Sequence, residues 1–227
     1  MPETDRITLR EAVAAVFGPE GALARAVEGY EPRASQQQMA EAVAEVIEEG
    51  GTLLAEAGTG TGKTLAYLIP AILGGHRVLV STGTKNLQEQ IYFKDLPALQ
   101  RALDVRFTAA LMKGRGNYLC LHRWENVREN PGGPDRQVFL PIIEDWSRRT
   151  RTGDRAELRD LPEDLALWRD LSADAETCLG SECPRYDDCF VTRMRQQAAE
   201  ADVVIVNHHL RSEEHTSEPQ SRLHLVC

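Results

Sequence analysis

Residues 57 to 64 read AGTGTGKT, and they stand between a short β-type run, TLLAEA at 52 to 57, and an apolar helical run that begins near Gly62. Alternating glycines let a backbone turn with its N–H groups pointing inward, and a helix that follows adds unpaired amides and the positive end of its dipole. The spacing is that of the phosphate-binding P-loop in its looser form, with Ala57 where the strict pattern has glycine. Its strand–loop–helix setting is the one the motif requires, which separates it from an ordinary glycine-rich turn. Gly58, Thr59, Gly60, Thr61 and Gly62 are expected to cradle the phosphates of a nucleoside triphosphate, with Lys63 reaching the β- and γ-phosphates and Thr64 ligating Mg²⁺.

The surrounding pattern fits that loop. RVLVST at 77 to 82 is a second β-type run, so the stretch from 52 to 82 has the beat of a βαβ unit in a parallel sheet. VRFTAALM at 105 to 112 and DVVIVNHH at 202 to 209 read as further buried strands. Upstream, Thr8 and Glu11 form a capping box before Val13, Val16 and Phe17, and GPEG at 18 to 21 ends that helix. Ser35 and Gln38 suggest another box, followed by an apolar stripe of Met39, Ala42, Val43, Val46 and Ile47. Arg33, Gln36 and Met39 recur every third residue at this helix start. A glutamine amide there has the paired donor and acceptor that read an adenine edge; the alternative is a solvated helix end.

STGTKNLQEQ at 81 to 90 repeats the strand-to-helix geometry, and Ser81, Thr82 and Thr84 offer a second anion site. With no Lys-Thr pair it is not a second nucleotide loop; a nucleic-acid phosphate is its natural ligand, and a simple N-cap is the competing reading. From 111 to 128, Lys113, Arg115, Arg123 and Arg128 face one acid, Glu125, with Tyr118 and Trp124 interleaved. Cations for a backbone and rings for bases suit single-stranded nucleic acid, although a solvated basic helix with two buried rings has the same composition. The net charge of −9 excludes a uniformly basic surface but not a local groove. LAYLIPAIL at 65 to 73 is too short to cross a bilayer and MPETDRITLR at the start has no apolar signal core, so a cytoplasmic protein is expected.

CLGSECPRYDDCF at 178 to 190 places Cys178, Cys183 and Cys189 in a polar run, with Cys120 upstream. A reducing compartment favours metal binding or catalysis over disulfides for such a set. Zinc usually takes thiolates in close C-x2-C pairs, and none occurs here. The wider spacing suits a larger object held at four corners, as a [4Fe–4S] cubane is; zinc and buried free thiols stand as alternatives.

Taken in order, GYEPRASQQQM, EAGTGTGKT, STGTKNLQEQ, LMKGRGNYLC, CLGSECPRYDDCF and ADVVIVNHHL resemble the DinG/YoaA branch of the XPD-like iron–sulfur DNA helicases, from about Gly29 to Leu210. The resemblance implies an incomplete RecA-like α/β P-loop sheet carrying a mainly helical iron–sulfur insertion. It implies an ATP-driven motor that moves 5′→3′ on single-stranded or forked DNA in DNA repair, as a monomer and without a membrane. Its cofactors would be ATP, Mg²⁺ and a [4Fe–4S] cluster. By the same resemblance Arg33 and Gln36 serve adenine, Lys63 and Thr64 the catalytic triphosphate–Mg²⁺ centre, Thr82 and Thr84 the DNA phosphates, and Cys120, Cys178, Cys183 and Cys189 the cluster. Lys113, Arg115 and Tyr118 are the expected DNA contacts beside it. A reading from another class is a non-catalytic module that senses nucleotide or redox state through zinc or iron–sulfur.

The expected organisation is N-terminal helices at 1–28, the first part of a motor domain at 29–112, the cluster insertion at 113–198, a return strand at 199–210 and a tail at 211–227. The family continues to a D-E-x-H box and a second motor domain; without them unwinding is not expected. RSEEHTSEPQSRLHLVC, which contains Cys227, instead resembles a translated sequencing-library adapter and is expected to be foreign to the natural gene.

Overall fold

The computed structural model describes residues 7–58, 60–162, 164–207 and 222–226. In chain order the helices and strands are α1 (Leu9–Phe17), α2 (Ala22–Ala26), α3 (Ala34–Glu49), α4 (Lys63–Leu73), β1 (Arg77–Thr82), α5 (Lys85–Gln90), α6 (Leu96–Leu103) and β2 (Ala109–Met112), then α7 (Leu121–Glu129), α8 (Pro134–Gln137), α9 (Leu140–Arg149), α10 (Trp168–Leu171), α11 (Phe190–Glu200), β3 (Val203–Asn207) and β4 (Arg222–Val226). A π-helical turn, Ile91–Asp95, joins α5 to α6. The chain divides into two compact units, one running up to Leu111 and resuming at Glu200, the other spanning Met112–Ala199.

The first unit is an α/β layer. Its sheet runs β2-β3-β1-β4, and β1 pairs in parallel with β3 from Val78↔Val203 to Thr82↔Asn207. α4 follows the glycine loop and buries Ala66, Tyr67, Leu68, Ile69, Pro70 and Ala71. A helix so apolar on every side needs cover all round; α3 supplies part of it with Ala40, Val43 and Ala44, spaced i, i+3, i+4. α1 adds Val13 and Phe17 and opens on the expected capping box: the Glu11 amide donates to Thr8 Oγ1 at 3.2 Å and the Thr8 amide to the Glu11 carboxylate at 2.9 Å. α3 departs from expectation, because Arg33 is its N-cap with no side-chain capping bond and Ser35 lies inside its first turn.

The run at 52–57 is not a strand. β1 already holds β3 on one edge and β4 on the other, and the 52–57 stretch has no ladder partner among the described residues, so its groups face water and Leu54 is 99% exposed. β2 is shorter than the expected 105–112 run, and positions 208 and 209 of the expected last strand lie outside the described residues. Arg222–Val226, within the tail expected to be foreign to the domain, pairs in parallel with β1 from Arg77↔Arg222 to Ser81↔Val226. Its period-2 alternation explains the fit, since Leu223 and Leu225 pack on the core while His224 and Val226 are exposed.

The second unit has its own core, in which Leu119, Trp124, Ile143, Trp146, Trp168, Leu171 and Phe190 are buried. The rings of Trp146 and Trp168 lie 6.2 Å apart, and the Arg155 guanidinium sits 5.2 Å from the centre of the Trp168 ring. None of the described helices is long and apolar enough to cross a membrane.

Where β2 begins, Thr108 donates to Asp202 Oδ2 through its amide (2.7 Å) and its hydroxyl (2.8 Å), fastening that edge beside β3. These bonds favour the charged form and hold the Asp202 carboxyl below its ordinary range. A lowered carboxyl pKa stabilises the fold above the unfolded-state value and loses that contribution as pH falls through the folded one. Asp202→Asn is therefore expected to cost roughly 1 kcal/mol at neutral pH, reduced from a buried charged bond by solvent screening, and to flatten the acid limb of stability. Denaturant unfolding at a series of pH values checks both effects.

Candidate functional site

The glycine loop is built by its own backbone and closed by side chains. Gly60 and Gly62 have φ of +77° and +79°, a region open to glycine at little cost, and Gly62 hands directly into α4. The loop carbonyls that this turn leaves outward are then covered. Gly58 O accepts from Lys63 Nζ at 2.7 Å and from Thr61 Oγ1 at 2.9 Å, and Lys63 also reaches Ala57 O. Gly60 O accepts from the Arg33 guanidinium, and Gly62 O from Gln36 Nε2 at 2.9 Å. Thr64 stands half-buried in the first turn of α4, and Thr59 lies outside the described residues.

Gln36 is thus placed otherwise than a free adenine reader. It is 6% exposed, with its amide against the loop, and a Cβ on Gly62 would come within 2.1 Å of its Nε2. Arg33 is exposed and caps α3 by position. One helix thereby supplies two braces to the loop that opens the next. The three-residue spacing carried that signal; it showed a shared face but not the partner.

At the end of β1 the two readings of STGTKNLQEQ separate. Thr84 is the N-cap of α5, accepting from the Leu87 amide at 3.2 Å, and is exposed. Thr82 is buried, and its hydroxyl donates to Thr84 O at 3.1 Å. Ser81 is buried as well. A DNA phosphate can approach Thr84; the Thr82 hydroxyl is enclosed by its own chain.

In the second unit all four expected cysteines line one cavity of about 310 Å³. Each is half-buried and free of disulfides. Cys120 is the N-cap residue of α7, and its amide donates to Leu171 O at 2.8 Å. Cys178 follows a turn in which Asp174 Oδ1 accepts from the amides of Glu176 and Thr177 and from the Thr177 hydroxyl, contacts with Thr177 that lower the Asp174 pKa. Cys183 closes a turn onto Gly180 O at 3.2 Å, and Cys189 O accepts the first amide bond of α11, from Arg193 at 3.0 Å.

Among the described residues no three His, Cys, Asp or Glu side chains are placed to hold a single metal ion. Burial pushes the Cys120 thiol up, the amides of Arg123 and His122 pull it down, and Cys183 and Cys189 raise it again. Arg115, His122, Arg123 and Arg195 also line the cavity, and no carboxylate does among the described residues. A polyanionic thiolate-bound group would be offset there. His122 and Arg195 were missed from sequence; the available signal was the set Thr192, Arg195, Gln196 and Ala199, which at i, i+3, i+4 and i+7 puts one face of α11 on the cavity.

Lys113 and Tyr118, expected on a DNA-facing strip, are interior. Lys113 is 5% exposed and pairs with Asp154 Oδ2 at 2.7 Å, while its amide donates to the buried Tyr118 hydroxyl at 3.1 Å. Burial holds the Tyr118 phenol well above its ordinary range. Charge counting along the chain does not see a lysine whose counter-ion is forty residues away. Arg115 remains half-buried at the cavity wall. Lys113→Met would strand the Asp154 charge and is expected to destabilise the second unit by about 3 kcal/mol. Thermal unfolding should register that loss, whereas an exposed DNA contact would leave unfolding unchanged and weaken only DNA binding.

Comparison with known proteins places this geometry in context. Residues 34–118 match the DEAD/DEAH box helicase family. The ATP-dependent DNA helicase YoaA of Escherichia coli is 47% identical over 196 residues, covering 86% of this chain and 31% of that protein. The ATP-dependent helicase DinG of Mycobacterium tuberculosis (strain H37Rv) is 39% identical over 233 residues, with 90% and 35% covered. The ATP-dependent DNA helicase DinG of Escherichia coli is 36% identical, with 83% and 29% covered. The chain spans about a third of the length of these curated relatives. The chain is a homologue of the YoaA and DinG ATP-dependent helicases along most of its length, and its residues 34–118 carry the DEAD/DEAH box helicase match.

Proposed function

We propose that this chain supplies the ATP-binding loop and the cluster-bearing DNA-contact region of an ATP-dependent DNA helicase that travels 5′→3′ on single-stranded or forked DNA in DNA repair. The observation that carries this reading is the set of four cysteines around one cavity, in a chain whose 34–118 segment matches helicases. A [4Fe–4S] cluster held by Cys120, Cys178, Cys183 and Cys189 would staple α7 to the start of α11, a unit with few strands of its own.

The loop residues take their roles from their positions. Lys63, now on the carbonyls of Ala57 and Gly58, would hold the β- and γ-phosphates of ATP, and the amides of Gly60, Gly62, Lys63 and Thr64 would receive phosphate oxygens. The Thr64 hydroxyl would hold Mg²⁺, which supplies charge neutralisation on the phosphates. Arg33 and Gln36, bonded to the carbonyls of Gly60 and Gly62, keep the loop framed and carry its state to α3. Adenine recognition falls to Arg33 and to the remaining hydrogen-bonding capacity of Gln36. On the DNA side, Thr84 and Arg115 are the contacts whose placement fits phosphate.

Lys63→Ala and Cys183→Ser separate the two sites. Lys63→Ala is expected to weaken binding of a fluorescent ATP analogue about tenfold or more while iron content stays intact. Cys183→Ser is expected to lose iron and single-stranded DNA affinity while nucleotide binding persists. An iron-free, zinc-loaded wild type with no affinity for single-stranded DNA would contradict the proposal and favour a sensor module.

A further inference from the structure

The cavity draws its cysteines from two chain segments, one ending at Cys120 and the other running from Cys178 to Cys189. The turn at 150–157 lies against both. The Leu119 amide donates to Gly153 O at 2.9 Å, and Tyr118 bridges Asp154 in antiparallel fashion, so the segment entering Cys120 is laid along this turn. Gly153 also meets Phe190, the residue directly after Cys189. A Cβ at position 153 would stand 2.3 Å from Phe190 Cδ2 and 2.4 Å from Cγ.

Neither neighbour has room to yield. Phe190 is buried in the core of its unit, and Gly153 has φ +66°, which disfavours any side chain. The turn is braced as well: the Gly153 amide donates to Thr150 Oγ1 at 2.8 Å, the Thr150 hydroxyl donates to Glu157 at 2.7 Å, and Trp146 Nε1 donates to the same carboxylate at 2.8 Å. Asp154 is held by Lys113.

We infer that Gly153 is a positioning residue: its missing side chain sets the separation between Cys120 and Cys189 across the cavity, and so the fit of the group that the four thiols hold. The inference rests on the proposed cluster. An added methyl would push either Leu119, and with it Cys120, or Phe190, and with it Cys189. The separation of the corners would change while the thiols themselves stayed in place chemically.

The test compares the full chain, reconstituted anaerobically with iron and sulfide, as wild type, Gly153→Ala and Gly153→Ala/Phe190→Leu. The readouts are iron and sulfide content, the visible absorption of the cluster, and its rate of loss to a chelator. Gly153→Ala is expected to lose its cluster to chelator about tenfold faster than wild type, with the binding of an ATP analogue unchanged, and the double variant, which removes the ring, to recover most of the difference. Equal loss rates in wild type and Gly153→Ala would overturn the inference while leaving the cluster reading standing. Should the single variant be insoluble, a soluble double variant with wild-type cluster retention supports the inference, and a soluble double variant as labile as the Cys183→Ser protein overturns it. A wild type that takes up no iron removes the cluster reading itself, and the inference with it.

Discussion

The parallel ladder between β1 and β3 is the constraint on which the rest depends. It joins Val78–Thr82 to Val203–Asn207, segments far apart in sequence, and it does so in register through five residue pairs. Closing so long a loop costs conformational entropy, though the cost grows only slowly with length. The buried Val78, Val80, Val203 and Ile205 side chains offset it, backed by α4 and α3. Because β2 and β3 are neighbours in the sheet, the chain leaves the first unit and returns to it at adjacent strands. The residues between build a second core.

Each site is organised around groups that its own chain leaves only partly satisfied. In the glycine loop, cationic and amide side chains sit on carbonyl oxygens, Lys63 on those of Ala57 and Gly58 and Arg33 and Gln36 on those of Gly60 and Gly62. In the cysteine cavity the balance is reversed. Thiols line a space whose other lining groups include three guanidinium side chains, and burial raises the Cys120 pKa.

Much of this was legible in sequence because it was local. The glycine spacing of the loop, the Thr8–Glu11 box and the helical character of α3 depend on spacing within a turn or two; Cys120 joins the three later cysteines only through the fold. What sequence hid was long-range pairing. The 52–57 run has strand composition, but a strand exists only where an edge is open to it, and β4 occupies that edge of β1. Lys113 looks like a surface cation until Asp154 is seen beside it, and Gln36 looks solvated until Gly62 is seen to leave room for it. Gly153 carries no local mark at all, and the spacing of Arg195 with Thr192, Gln196 and Ala199 shows a shared face but not the cavity; their meaning comes from that cavity and from the ring of Phe190.

The account stands or falls on what the four thiols hold. Mössbauer spectroscopy of the chain produced in iron-enriched medium and kept from air tests this most directly. The account predicts one diamagnetic quadrupole doublet of the type given by four iron atoms sharing charge in a cubane. A spectrum free of protein-bound iron, from protein that carries zinc at full occupancy, would contradict it.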